Sequence, residues 1–297
     1  MVDSFEDSQP TGVQDLFQDA AEPERRITIM LAAFEGWNDA GEAASDALKY
    51  LGRFFGSERI STIDADEFYD FQFTRPMIRR NSSGQRRIKW PNTRISKAVV
   101  PGSTVDLILV NGVEPSYKWR AYTAELVGLA KELGVDCIVL VGALLADVPH
   151  SRPIPVTVTS DDDLVRESLD VEPSTYEGPI GIVGVLAEMG LLADIPTMSL
   201  WAAVPHYVGQ SPSPKAQLAL LNKLEEILQI TVDSNLLTEE SEAWERGVDE
   251  LATEDPEVAA YVRQLEEAKD TVDLPEASGE SIAREFERYL KKRRREQ

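Results

Sequence analysis

Ile27-Thr28-Ile29-Met30-Leu31-Ala32-Ala33-Phe34 leads into Glu35-Gly36-Trp37-Asn38-Asp39-Ala40-Gly41, and then into Ala43, Ala44, Ala47, Leu48 and Leu51 at helical spacing. The first run is apolar without alternation, too short for a helix and too continuous for a half-exposed strand, so it predicts a buried central strand. Gly36 opens backbone angles closed to other residues, and Asn38 or Asp39 can accept the first free amides of the following helix. The small alanines let that helix lie close against a sheet. The turn therefore falls at the carboxyl end of a strand, where open α/β sheets place their ligands. Two readings follow: a site at Glu35, Asn38 and Asp39, or a helix cap with Trp37 packed over it.

With 297 residues, 42% of them hydrophobic, the chain can bury one large core, or one core and a small satellite. Its apolar runs fall short of the roughly 20 residues that a membrane helix needs, and the acidic opening Met1 to Asp7 lacks the pattern of a signal peptide. No membrane association is expected, and a cytoplasmic location is. A formal net charge of -22 opposes nucleic-acid binding, because a phosphate backbone would be repelled. The single cysteine, Cys137, lies in the strand-like Val135 to Val141 and reads as inert packing.

Three segments emerge. Residues 1–24 read as a disordered or loosely docked acidic arm, anchored at most by Val13, Leu16 and Phe17. Residues 25–234 alternate strands and helices, which predicts a three-layer α/β sandwich. Its strands are expected at Ile27–Phe34, Ile60–Asp64, Val105–Gly112, Cys137–Gly142, Ile154–Thr159 and Thr197–Val204. A helix over Tyr117–Leu133 is expected to turn Ala121, Ala124, Leu126 and Leu129 inward, and Ser213 should cap a helix buried through Leu220, Leu224, Ile227 and Leu228. Asp64 to Phe71 reads as an acidic, aromatic surface loop or partner surface. The basic segment from Arg75 to Lys89, centred on Asn81-Ser82-Ser83-Gly84, reads as an exposed hairpin paired with that loop. Gly178, Gly181 and Gly184 suit a turn feeding a tightly packed helix; without a G-x-G spacing or a Walker lysine, they do not form a phosphate loop. Residues 235–297 read as a C-terminal α-helical extension of three amphipathic helices, around Trp244, Tyr261 and Phe286, ending in the basic tail Lys291 to Arg295.

Four strand ends carry polar chemistry: Glu35 with Asn38 and Asp39, Glu114, His150 with Arg152, and His206 with Tyr207. Parallel strands would set them on one rim, as a candidate cleft for acid/base work with His150 or His206 as general base. Structural hydrogen bonding accounts for the same residues and is the simpler reading. The spacing does not suit a metal, no cofactor fingerprint occurs, and no nucleophile elbow or C-x-x-C pair is present. A non-catalytic binding protein and a small-molecule hydrolase or phosphorylase-like transferase are therefore both open.

Gly36-Trp37-Asn38-Asp39-Ala40-Gly41, Arg75-Pro76, Trp90-Pro91, Gly112-Val113-Glu114-Pro115-Ser116, Pro149-His150-Ser151-Arg152-Pro153, Tyr176-Glu177-Gly178-Pro179 and Trp201 to Tyr207 resemble, in order, the actinobacterial-type bacterial branch of the proteasome assembly chaperone 2 (PAC2) family. The resemblance covers roughly Ile27 to Ile230. It implies a phosphorylase/hydrolase-like fold, self-association as a homo-oligomer such as a trimer, and proteasome subunits as partners. The eukaryotic chaperones dock through a C-terminal hydrophobic-Tyr-any residue motif; Arg295-Glu296-Gln297 departs from it.

Overall fold

The computed structural model describes residues 12–17, 25–209 and 212–271. In chain order the elements are β1 (Ile27–Glu35), α1 (Ala43–Phe54), β2 (Glu58–Ile63), β3 (Met77–Arg80), β4 (Arg86–Lys89), β5 (Thr93–Val99), β6 (Val105–Val113) and α2 (Trp119–Glu132). There follow β7 (Cys137–Ala146), β8 (Val156–Thr159), α3 (Asp163–Leu169), α4 (Ile182–Leu191), β9 (Thr197–Pro205), α5 (Pro214–Leu228), α6 (Asn235–Glu254) and α7 (Pro256–Thr271).

The continuous apolar runs become the parallel centre of a seven-stranded sheet of order β2-β5-β6-β1-β7-β9-β8. β1 pairs in parallel with β6 and β7, and β7 with β9. The flanking strands run antiparallel, β5 to β6 and β2, and β8 to β9. Side chains of β1 alternate between two cores. Ile27, Ile29 and Leu31 pack with Leu48 and Leu51 of α1 and Leu220 and Leu224 of α5, whereas Met30, Ala32 and Phe34 pack with Tyr122 and Leu126 of α2 and Ile182 and Leu186 of α4. The result is the expected three-layer α/β sandwich with helices at its C-terminal side. Each fully buried Leu or Ile contributes about 1.5–3 kcal/mol, so these two faces outweigh any surface pair.

Several local expectations change. β5 was not anticipated: Thr93 and Ile95 are buried on the α2 side and Ala98 on the α1 side while Arg94, Lys97 and Val99 are exposed, the mixed pattern of a strand near the sheet edge that is only partly covered on each face. On α2 the inward stripe is Tyr122, Leu126 and Ala130 at i, i+4 spacing, and Ala121 and Ala124 are exposed. The Asp64–Phe71 loop is only half a surface loop. Phe68 and Tyr69 are buried, Phe68 edge-on to Tyr122 at 5.3 Å and the Tyr69 hydroxyl donating to Val113 O at 2.8 Å. β3 and β4 form the exposed hairpin, but its pairing with the acidic loop does not occur. Glu67 pairs with Lys118 and Asp70 accepts from Tyr117, while Arg75, Arg79, Arg80, Arg86, Arg87 and Lys89 meet no carboxylate among the described residues. Val13 is fully buried and Leu16 and Phe17 pack beside it, so residues 12–17 dock on the α1/α5 face. Leu251 on α6 is exposed, and Ala252 takes the inward place. The helix around Phe286 and the basic tail lie outside the described residues. Among the described residues no helix is long and apolar enough to cross a membrane.

Two glycines separate close packing from open helix surface. A Cβ on Gly112 in β6 would meet Thr93 Oγ1 at 2.4 Å and Thr93 Cα at 2.8 Å, whereas one on Gly128 in α2 would meet nothing within 4 Å. In urea melts we expect Gly112→Ala to destabilise by about 2 kcal/mol and Gly128→Ala to stabilise by about 0.5–1 kcal/mol. Changes of the same sign would contradict this packing.

Candidate functional site

Because β1, β6, β7 and β9 run parallel, their carboxyl ends share one rim of the sheet. The polar residues there fall into two groups, and no hydrogen bond or ion pair joins the groups among the described residues.

The first group lies where β1 and β6 end. Gly36 takes φ of 123°, which turns the chain. Asn38 O then accepts the Ala143 N–H at 2.8 Å, and Asp39 bridges in parallel to Ala143 of β7. The Asn38 side chain is 1% exposed, and its Nδ2 donates to Glu114 Oε1 at 2.8 Å. The same oxygen accepts the Ile182 N–H at 2.8 Å, at the N-terminus of α4, where the helix dipole favours a negative charge. A carboxylate only accepts, so the Asn38 amide is oriented with Nδ2 toward Glu114. Its Oδ1 is buried without a hydrogen-bond partner and lies against Gly181, where a Cβ would come within 2.2 Å.

Asp39 turns to α1. Its Oδ1 accepts Ala44 N–H at 2.7 Å and Ser45 N–H at 3.1 Å, while its Oδ2 is buried without a partner. Burial pushes its carboxyl up to about 6 against the opposing hydrogen bonds from Ser45 and Ala44 and the charge of Lys49. Glu35 points to the α1 face and pairs with Lys49 at 2.9 Å. Beside this group Trp37, Asn38, Tyr176, Gly181, Ser199 and Trp201 help to line a cavity of about 210 Å³.

The second group lies where β7 and β9 end, beneath α6 and α7. His150 is 1% exposed. Tyr207 Oη accepts its backbone N–H at 2.7 Å and gives its own proton to Nδ1 at 2.7 Å, so Nε2–H is left to donate to Asp249 Oδ1 of α6 at 3.0 Å. Burial raises the Tyr207 phenol to about 12. Lys215 holds the His150 carbonyl, at 2.5 Å, and Glu245 of α6, at 2.5 Å. Arg152 grips Asp270 of α7 through two parallel bonds of 3.0 and 2.8 Å, and Ser151 donates to Glu266. His206 Nδ1 stands 3.2 Å from Asp147 Oδ1, off the line of a hydrogen bond, and its ring meets Tyr261 edge-on at 5.4 Å. The partners Lys215, Glu245, Asp249, Glu266 and Asp270 are not legible in the sequence, since they come from other elements and look like ordinary surface residues; Tyr261 is legible only as part of an apolar helix stripe. Chemically, then, both ring nitrogens of His150 are engaged, and Arg152 is neutralised. Among the described residues no group of three or more His, Cys, Asp or Glu side chains could hold a metal.

Two measurements check these environments. Asp39 has a folded pKa above its unfolded value, so its contribution is fully present below pH ~4 and is lost as pH rises through about 6, a change of about 3 kcal/mol. Asp39→Asn keeps the acceptor for α1, and its stability relative to the natural chain should therefore improve by about that amount between pH 4 and pH 7.5; a pH-independent difference in urea melts would exclude the assignment. His150→Ala strands Tyr207 and Asp249 and should cost about 2–4 kcal/mol, while half-exposed His206→Ala should cost less than ~1 kcal/mol. Equal costs would mean that His150 does not join the rim to α6.

The sequence profile of the PAC2 family matches residues 33–252. A PAC2 family protein from Streptomyces avermitilis is 49% identical, with 79% of this chain and 99% of that one covered and a TM-score of 0.74. The proteasome-assembly chaperone homologue of Mycobacterium tuberculosis is 44% identical over 79% of this chain and 99% of its own, with a TM-score of 0.71. An archaeal homolog of proteasome-assembly chaperone from Pyrococcus furiosus, at 19% identity, 83% and 97% coverage and a TM-score of 0.54, shares the fold. No curated protein matches the chain. Since the match takes in the β1 turn, Glu114 and both histidine-bearing strand ends, the chain belongs to the actinobacterial-type branch of the PAC2 family.

Proposed function

We propose that this protein is a non-catalytic protein-binding assembly factor that acts on proteasome subunits in the cytoplasm, as a homo-oligomer. The observation that carries this reading is the use of the rim. Glu114, His150, Arg152 and Tyr207 spend their hydrogen bonds on the chain itself, as do Asn38 and Asp39 save for one buried oxygen each, closing the β1 turn and fastening α6 and α7. A general base needs a free lone pair within reach of a substrate proton, and His150 has neither ring nitrogen free. The hydrolase or transferase alternative therefore loses His150 as its base and rests on His206, whose Nδ1 faces Asp147 at 3.2 Å without a hydrogen bond. The relative at 44% identity, itself a proteasome-assembly chaperone homologue, supports the assembly role. Self-association is supported by the exposed apolar residues Phe73, Ile78 and Ile88 on and beside the hairpin, where contiguous exposure favours protein contact.

The test is reconstitution with purified proteasome α and β subunits from the same organism. The full chain should bind α subunits in biolayer interferometry and speed the appearance of assembled particles on native gels. Absence of both binding and faster assembly would overturn the reading.

A further inference from the structure

On the α1 face, away from the rim histidines, lies a second cavity of about 830 Å³. Its walls are α1, the open halves of β5 and β6, and the segments that enter and leave the hairpin. Lys49, Arg53, Arg75, Lys89 and Arg94 line it, with Glu35 as the one carboxylate among its lining residues. Lys49 is committed to Glu35 at 2.9 Å and Asp46 at 3.0 Å. The other four cations meet no carboxylate among the described residues: Arg75 donates only to the Gln72 carbonyl at 3.3 Å, and Arg53 lies 5.9 Å from the Tyr50 ring. The carbonyl ends of α1 do not oppose an anion here, because Phe55, Gly56 and Ser57 N–H groups already satisfy Leu51, Arg53 and Gly52.

Four unneutralised cations gather in one concavity of a chain whose net charge is -22. Low-dielectric walls focus their field on whatever enters. Three of the four are arginines, whose planar forks match phosphate oxygens in pairs. Trp90 leans on Phe71 at 5.0 Å, is 46% exposed and offers a flat face at the same cavity. The volume lies in the range of pockets for small molecules, about 300–1,000 Å³. We propose that this cleft binds a phosphate-bearing small molecule of nucleotide size, its phosphates held by Arg53, Arg75, Lys89 and Arg94 and its planar part laid on Trp90. The proposal is independent of the assembly role, and failure of the reconstitution test would leave it standing.

The experiment is isothermal titration calorimetry of the full chain in ~0.15 M salt, with ATP, tripolyphosphate, adenosine and an oligoglutamate peptide as probes. ATP and tripolyphosphate should bind and adenosine should not. The double variant R53A/R94A, whose exposed side chains leave the cores intact, should weaken both by ~tenfold or more. Trp90→Ala should weaken ATP by ~tenfold and leave tripolyphosphate unchanged. Arg166→Ala, on α3 and paired with Asp163, should alter neither. Absence of binding by both phosphate probes, equal loss in R166A, or binding of oligoglutamate in preference to ATP would each overturn the proposal, the last in favour of an acidic peptide.

Discussion

Glu114 Oε1 receives the Asn38 side-chain amide and the Ile182 backbone amide at once, each at 2.8 Å. Through that one oxygen the end of β6, the turn after β1 and the start of α4 are fixed to each other. The rest of the β1 turn follows from it. With Nδ2 held, Asn38 presents its main-chain oxygen to Ala143 and carries the β1–β7 pairing one step beyond the strand. Asp39 is thereby aimed at the first amides of α1. Position 181 must be glycine, because a side chain there would enter the space of the Asn38 amide. Charge-assisted bonds of this kind are roughly twice as strong as neutral ones, and this one sits where the dipole of α4 adds to it.

What sequence could reveal follows from the same distinction between local and remote causes. The parallel centre was legible because strands buried on both faces leave continuous apolar runs, as in Ile27 to Phe34 and Cys137 to Val141. A cap was legible where residue type and offset coincide, as where Ser213 accepts Ala216 N–H, whereas Asp39 reaches the Ala44 and Ser45 amides of α1 from beyond the N-cap Glu42. β5 was obscured by Arg94 and Lys97, which look like more of the basic hairpin until their alternation with Ile95 and Ala98 is set against a neighbouring strand. On α2, Ala121 and Ala124 fit the helical period as well as Tyr122 and Ala130; only the aromatic cluster of Phe34, Phe68 and Tyr122 decides which stripe faces inward. The rim was legible as a set of strand ends. Its chemistry was not, because the partner of His150 lies at Asp249 on a helix whose acids resemble any solvated face.

That helix changes the meaning of the rim. α6 and α7 bury few large side chains, among them Leu237, Val248, Val262 and Leu265. Ion pairs as exposed as Arg152–Asp270 are worth about 0–1 kcal/mol each. The buried His150 contact is different in kind, since breaking one side of it leaves desolvated polar groups without partners. Placement of the helices thus depends on apolar area for its free energy and on His150, Arg152 and Lys215 for its register. His150 and Arg152, strand-end candidates in the sequence, hold α6 and α7 against the rim.

Strands about 4.8 Å apart make a seven-stranded sheet ~29 Å wide, whereas two helices ~10 Å apart shield only ~20 Å of it. Each face must therefore leave about two strands uncovered. Toward α2 and α4 the gap is filled by Ala65, Phe68 and Tyr69, which pack with Ile63 and Ile95. Toward α1 and α5, Val13 and Val165 of α3 add cover away from β2, but beside β2 no such plug exists among the described residues, and β2 carries exposed side chains from Glu58 to Thr62. The segments flanking the hairpin overhang this second gap and turn it into a cleft rather than a core. A core would have required apolar residues at Arg94 and Arg53; with guanidinium groups there instead, the space stays open to water and to anions. The two-helix layer, set by simple widths, thus determines that the cationic cleft lies on the α1 side, and the hairpin's insertion between β2 and β5 supplies its roof.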